Sequence, residues 1–365
     1  MVLVVPRNVS FRAEAAPGGG TRCFVRDPHT GRSLADMTRA DELVRSAVID
    51  KTLALLKDNY VFPDVAARME ADIRGREQAG EYDRFTTAGA FADALTEHLR
   101  SVSRDIHLNV RFSAPAPTPA PAPPGEPDWQ SRERAVNYHF ARVERLPGNV
   151  GYLRLDEFAD ADQAEPAATA AAAMEFLRHT DALIIDLRRN GGGHPSMVAL
   201  LLGYLMGPEP VVYNRFFDRP SGTISESRTM AVAADKRYGP HRPVFVLVGE
   251  RTASAAESFA YTLKGLGRAI LVGETTMGAA NPGDGFDLGG GFSAFIPTGR
   301  PISPFTETNW EGVGIEPDFK APVAEGIRTA HRRALRSLLR EEADPERRGR
   351  LEGVMDAIEN PVREP

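Results

Sequence analysis

Between residues 138 and 296 short apolar runs alternate with longer amphipathic or alanine-rich segments. Residues 150–155, 182–187 and 244–248 are nearly continuous apolar runs of five or six positions. Runs of that length suit strands buried on both faces. Residues 164–179 are alanine-rich, and 195–206 are apolar, so both predict helices. Small residues and good helix formers from Ser254 through Ala260 predict a third helix directly after the 244–248 strand. Further strands are expected at 269–273 and 292–296, with strands and turns over 210–230. Strands alternating with helices imply a layered α/β domain.

The chain before this region has a helical period. Ile49, Leu53, Leu56 and Tyr60 recur at helical spacing, and the run stops before Pro63, which disfavours a helical residue ahead of it. Val65, Met69 and Ile73 mark a second helix closing near Gly75. Thr87 can cap a third, with Phe91, Leu95 and Val102 on one face. The expected organisation is an N-terminal arm over 1–37, with a possible hairpin, and a helical bundle over 38–113. A proline-rich linker over 114–130 leads to an α/β core over 131–322. A charged helical tail over 323–365 reads as peripheral. No internal repeat is visible.

Composition narrows the function classes. The chain has 365 residues, 42% hydrophobic and 26% charged, so it can build a sizeable core. Its net charge is −6 and it has no long basic run, which argues against nucleic acid as a partner. The single cysteine, Cys23, excludes an internal disulfide framework and a cysteine-rich metal site. No apolar run reaches membrane-spanning length. The opening Met1–Pro6 is too short for the apolar core of a secretory signal, so a cytoplasmic location is expected.

The candidate chemistry centres on Ser254. It stands where a buried strand turns into a helix, and Ser254-x-x-Glu257 has capping-box spacing. A hydroxyl there can cap the helix. It can also act as a nucleophile, held rigidly beside the N–H groups of a helix start. Asn190-Gly191-Gly192-Gly193 also lies between a strand and a helix, which suits either a tight turn or a backbone anion site. His107, after Asp105, sits where helix gives way to strand, and His194 abuts the glycine run as a rival base. Glu311 lies in the glycine-flanked Asn309–Asp318 stretch.

These segments, taken together, resemble the tail-specific, or C-terminal processing, serine peptidases. The resemblance rests on Asp186-Leu187-Arg188-x-Asn190-x-Gly192-Gly193, Thr252-Ala253-Ser254-Ala255-Ala256-Glu257 and Gly273-Glu274-x-Thr276-x-Gly278, in that order. Tyr60-Val61-Phe62-Pro63 and Asn309-Trp310-Glu311-Gly312 are similar to the branch of the interphotoreceptor retinoid-binding protein and the tricorn protease core. Two departures stand out. The lysine of the family's Ser/Lys dyad would fall at Ala279, and the proline-rich stretch stands where those enzymes carry a PDZ domain.

The resemblance implies a helical bundle followed by a crotonase-like α/β core without a PDZ domain. It implies Ser254 as nucleophile, His107 as base, and Glu311 fixing the histidine tautomer directly or through a polar group. The N–H groups of Gly192 or Gly193 and of Ala255 would bind the oxyanion. The implied function is hydrolysis of peptide bonds with no metal or organic cofactor. Two other readings stay open: a serine hydrolase or acyl transferase on a small molecule in a biosynthetic pathway, and a non-catalytic module for hydrophobic ligands.

Overall fold

The structure is a computed structural model that describes residues 10–16, 20–26, 34–113 and 128–360. The opening Met1–Pro6 and residues 114–127 of the proline-rich stretch lie outside these. Strands β1 (Ser10–Ala16) and β2 (Gly20–Arg26) pair as an antiparallel hairpin in the N-terminal arm.

Three helices follow: α1 (Leu34–Asn59), α2 (Pro63–Gln78) and α3 (Ala88–Ser103). Proline is tolerated at the first position of α2, where its missing N–H costs no helical bond. Thr87 caps α3 by accepting the Ala90 N–H at 3.2 Å. The face marked by Ile49, Leu53, Leu56, Met69, Ile73, Phe91 and Leu95 is buried as its spacing predicts. Strand β3 (Asn109–Phe112) then leads out of the bundle.

The central sheet is assembled from the rest of the chain. After α4 (Trp129–Ala135) come β4 (Phe140–Leu146), β5 (Val150–Leu155), α5 (Ala164–Leu177), β6 (Ala182–Asp186) and α6 (Pro195–Leu205). A hairpin of β7 (Val212–Asp218) and β8 (Thr223–Arg228) precedes β9 (Val244–Val248), α7 (Ala255–Gly265) and β10 (Ile270–Gly273). Strands β11 (Gly283–Gly289), β12 (Phe292–Pro297), β13 (Gly299–Ile302) and β14 (Phe319–Lys320) follow. The chain closes with α8 (Gly326–Glu341) and α9 (Pro345–Glu359).

The sheet order is β14-β10-β9-β6-β5-β4, parallel except for the antiparallel β4–β5 pair. Alternation divides each strand between two apolar layers. Leu183, Ile185, Val244 and Val246 face a core shared with α5, α6 and α7, while Ala182, Ile184, Phe245 and Leu247 pack toward α8 and α9. Both faces are covered, which explains why these strands read as unbroken apolar runs.

Two features differ from the sequence reading. Strand β12 does not join the central sheet. It pairs with β3 and β11, and Phe292 packs on Phe91 and Phe112 in the helical domain's core. Residues 283–297 therefore leave the α/β core and bind it to the bundle. The C-terminal tail is also not peripheral. Ala330, Ala334 and Leu335 of α8 are fully buried against the central sheet. Small residues between arginines disguise that apolar stripe.

Candidate active site

Strand β9 delivers the chain to a sharp turn at Ser254, whose φ of +53° and ψ of −119° are uncommon for a residue with a side chain. Such a conformation costs on the order of 1–3 kcal/mol and persists only where its surroundings impose it. Here they do. The Ser254 N–H donates to Glu257 Oε2 at 3.0 Å and approaches the Ala279 carbonyl at 3.1 Å, while Ala253 N–H donates to the Asn190 carbonyl at 3.1 Å. The reciprocal approach of Ser254 Oγ to the helix start is present but falls short of hydrogen-bond geometry. The serine is thus fixed through its backbone.

Glu257 does more than its place in a capping box suggested. It is fully buried and also accepts the N–H groups of Gly278 at 2.7 Å and Ala279 at 2.8 Å, and the Thr276 hydroxyl. Burial pushes its carboxyl up, against the pull of these donors. One carboxylate therefore clamps residues 276–279 to the serine turn.

The glycine run packs against the same turn. A Cβ on Gly192, at φ +120°, would stand 2.8 Å from Ser254 Cβ and 3.2 Å from its Oγ. A Cβ on Gly193, at φ +118°, would stand 2.2 Å from the Phe158 carbonyl oxygen. Only glycine permits this approach. The two glycines differ as donors. The Gly192 N–H is spent on Asn190 Oδ1 at 2.9 Å, which leaves Gly193 as the other of the two glycines expected as an oxyanion donor. Among the described residues, the N–H groups of Gly193 and Ala255 have no such partner. Gly193, Ser254 and Ala255 line one cavity of about 390 Å³ together with Phe216, Pro301 and Trp310. Hairpin β7–β8 supplies one of its walls.

His107 reaches this region from the bundle side. The Ser254 N–H points at the Ala279 carbonyl, and the next two N–H groups, of Ala280 and Asn281, donate to Glu311 Oε2 at 2.6 and 2.8 Å. His107 Nδ1 lies 3.9 Å from that same oxygen. This separation permits charge interaction, but it is too long for a direct hydrogen bond, one of the two ways in which the resemblance has Glu311 fix the tautomer. Nδ1 is buried without a hydrogen-bond partner among the described residues. Burial lowers the His107 pKa, opposed by the charge of Asp105. Burial raises the Glu311 carboxyl to about 7, assisted by the negative charge of Asp105 and opposed by its backbone donors.

Asp105, His107 and Glu311 bring potential ligand atoms within 4.8 Å of one another. Their oxygens are already engaged, however. Glu311 takes three backbone N–H groups, and Asp105 takes the His107 N–H, the Tyr60 hydroxyl and Asn281 Nδ2. Both carboxylates are thus committed to donors of the protein itself. The rival base, His194, serves another purpose. It caps α6, and its Nδ1 bonds Ser196 Oγ at 2.7 Å beside Asp160. Ala279, where a lysine would stand, is buried, and its carbonyl also accepts Trp310 Nε1 at 3.2 Å. Asn281 escaped the sequence reading because its partners lie far away in the chain. Asp105 was visible beside His107, but its contacts were not.

The profile of peptidase family S41 matches residues 149–321, and that of the N-terminal domain of S41 peptidases in eukaryotic IRBP matches residues 43–144. The chain belongs to peptidase family S41. The carboxyl-terminal-processing peptidase 1 of Arabidopsis thaliana chloroplasts is 31% identical over 188 residues, covering 51% of this chain and 36% of its own length. A carboxyl-terminal-processing protease of Synechocystis is 32% identical over 175 residues, covering 47% and 38%. This S41 chain thus spans little more than a third of the length of these relatives. Among solved structures, a lipoprotein of Streptococcus agalactiae shares the fold at a TM-score of 0.51 and 15% identity, covering 79% of this chain and 94% of its own. Among the described residues, no helix of the S41 chain is long and apolar enough to cross a membrane.

Proposed function

We propose that this chain is a serine peptidase with a crotonase-like core, in which Ser254 is the nucleophile and His107 the base. One observation carries the reading. Ser254, held in a strained turn, lines a cavity together with Gly193 and Ala255, whose N–H groups have no partner among the described residues.

In this mechanism Ser254 Oγ attacks the scissile carbonyl and passes its proton to His107 Nε2. The Gly193 and Ala255 N–H groups receive the oxyanion. The intermediate collapses, the leaving amine takes the proton from His107, and water hydrolyses the acyl-enzyme by the same route. Glu311 stabilises the imidazolium through its charge, since the Nδ1 separation is too long for a hydrogen bond. No step requires a metal or an organic cofactor.

The cavity lining favours an uncharged substrate group. It combines Pro195, Phe216, Pro301 and Trp310 with the hydroxyls of Ser225 and Ser227, and among the described residues no charged side chain lines it. Its modest volume of about 390 Å³ also suits the second reading, acyl transfer on a small molecule. Turnover of matched peptide and ester libraries tests the assignment. Cleavage of peptides with an uncharged residue on the acyl side supports a peptidase, whereas turnover of esters or thioesters alone replaces it with small-molecule chemistry.

A further inference from the structure

Among the described residues, the His107 imidazole has no hydrogen-bond partner at Nδ1. Its position is therefore set by the ring of Phe295, 6.3 Å away between centroids, and by the backbone around it. The His107 N–H donates to Asp105 Oδ1 at 3.1 Å, and its carbonyl accepts Asn109 Nδ2 at 2.6 Å. The preceding Ile106 N–H donates to Glu311 Oε1 at 3.4 Å. Asp105 is in turn held from two directions. Its Oδ2 accepts the Tyr60 hydroxyl at 3.2 Å from the end of α1, and Asn281 Nδ2 at 3.2 Å from the segment following Ala279.

Asn281 is fully buried and uses three groups at once. Its N–H binds Glu311, its Nδ2 binds Asp105, and its Oδ1 accepts Asn309 Nδ2 at 3.2 Å. Asn309 closes the loop by accepting the Glu311 N–H at 3.0 Å. The segment that receives the Ser254 N–H and the turn that carries His107 are thus joined directly by the Asn281–Asp105 amide–carboxylate pair, and also through Glu311, which accepts N–H groups from both.

We propose that Asp105 and Asn281 are positioning residues that form a clasp between the helical domain and the α/β core, setting the approach of His107 to Ser254. This rests on the proposed roles of those two residues. The clasp acts by geometry, since a small displacement of a base costs turnover steeply. Asp105 also acts by charge. The charged and titratable groups facing His107 and Glu311 are Asp105, Tyr60 at the end of α1 and Arg100 of α3. Removing the Asp105 charge makes both His107 and Glu311 easier to deprotonate, so the acid limb of the rate profile moves to lower pH.

The test is a swap of the pair, read as kcat and as a pH profile on whichever substrate the libraries identify. Asp105→Asn sets amide donors against Asn281 Nδ2 and the Tyr60 hydroxyl. Asn281→Asp sets two carboxylates together. Each single change is expected to lower kcat about tenfold to a hundredfold. The Asp105→Asn/Asn281→Asp double variant restores one amide and one carboxylate in reversed order. It should recover kcat above either single variant and return the acid limb toward the wild-type pH.

Tyr60→Phe keeps the packed ring and removes one donor to Asp105, so it tests the clasp even if the polar variants fold poorly. A several-fold fall in kcat at unchanged KM is expected. The clasp is overturned if the double variant is no better than the worse single, if the limb does not move in Asp105→Asn, or if Tyr60→Phe leaves kcat unchanged. Ser254→Ala separates the two claims. If it retains turnover the nucleophile assignment fails, whereas an inactive Ser254→Ala with no rescue in the swap overturns the clasp alone.

Discussion

Glu311 Oε2 stands 3.9 Å from His107 Nδ1 while receiving the N–H groups of Ala280 and Asn281. The carboxylate therefore belongs first to the backbone beside the serine turn, and it acts on the imidazole by charge across a gap. Its burial and the nearby Asp105 hold it up to about 7.

This gives a pH signature with a defined sign. In the unfolded chain Glu311 ionises near its usual value of 4.5, before it ionises in the folded chain. Folding stability contributed by this group is full below that value and declines as pH rises to about 7, after which it is flat. Glu311→Gln removes this term. Denaturant midpoints of the variant minus those of wild type should rise between pH 4.5 and 7 and level off above. A difference independent of pH would mean that Glu311 is not raised. The rate should respond as well, losing the limb near 7 and retaining one below the ordinary histidine value, where burial places His107.

Ser254 combines strain with proposed reactivity, so stability and activity should separate there. Ser254→Gly relieves the positive φ and should raise stability by about 1 kcal/mol while abolishing turnover. Thermal melting and a turnover assay check both halves. A less stable Ser254→Gly would show that the hydroxyl, and not the backbone contacts, holds the turn.

The glycine run offers a contrast within neighbouring residues. Gly193→Ala brings a Cβ to 2.2 Å from the Phe158 carbonyl and should lower both the melting temperature and turnover. Gly191→Ala meets nothing within 4 Å and should leave both nearly unchanged. Equal behaviour of the two variants would remove the special role of Gly193.

Much of this site was legible because its signals are local. The β9 apolar run, the serine at its end and Glu257 three residues later place the turn without any long-range information. Which of Gly192 and Gly193 keeps its N–H was not legible, because Asn190 takes the Gly192 N–H from only two residues away and such side-chain capture leaves no mark in a motif. The β12–β3 pairing and the Asn281–Asp105 bond were not legible. They join residues about 180 positions apart, where neither periodicity nor spacing carries information.

The tail shows the same limit in its energetics. Leu335 reads as one apolar residue in a basic helix, yet it is fully buried against the sheet. Leu335→Ala should cost about 2–5 kcal/mol, with kcat of the remaining folded protein unchanged. Denaturant titration and an active-site-normalised rate check this. A loss within 0.5 kcal/mol, the range of ordinary surface changes, would return the tail to the periphery.

The central claim is that Ser254 is a nucleophile activated by His107. It is tested most directly by mass spectrometry of the peptide containing Ser254 after reaction with a fluorophosphonate probe, in wild type, Ser254→Ala and His107→Ala. The predicted result is a covalent adduct on Ser254 in the wild type, none in Ser254→Ala, and labelling in His107→Ala slowed by two or more orders of magnitude, roughly the loss seen when one member of such a unit is removed. An adduct on a different residue, or labelling of His107→Ala at the wild-type rate, would contradict it.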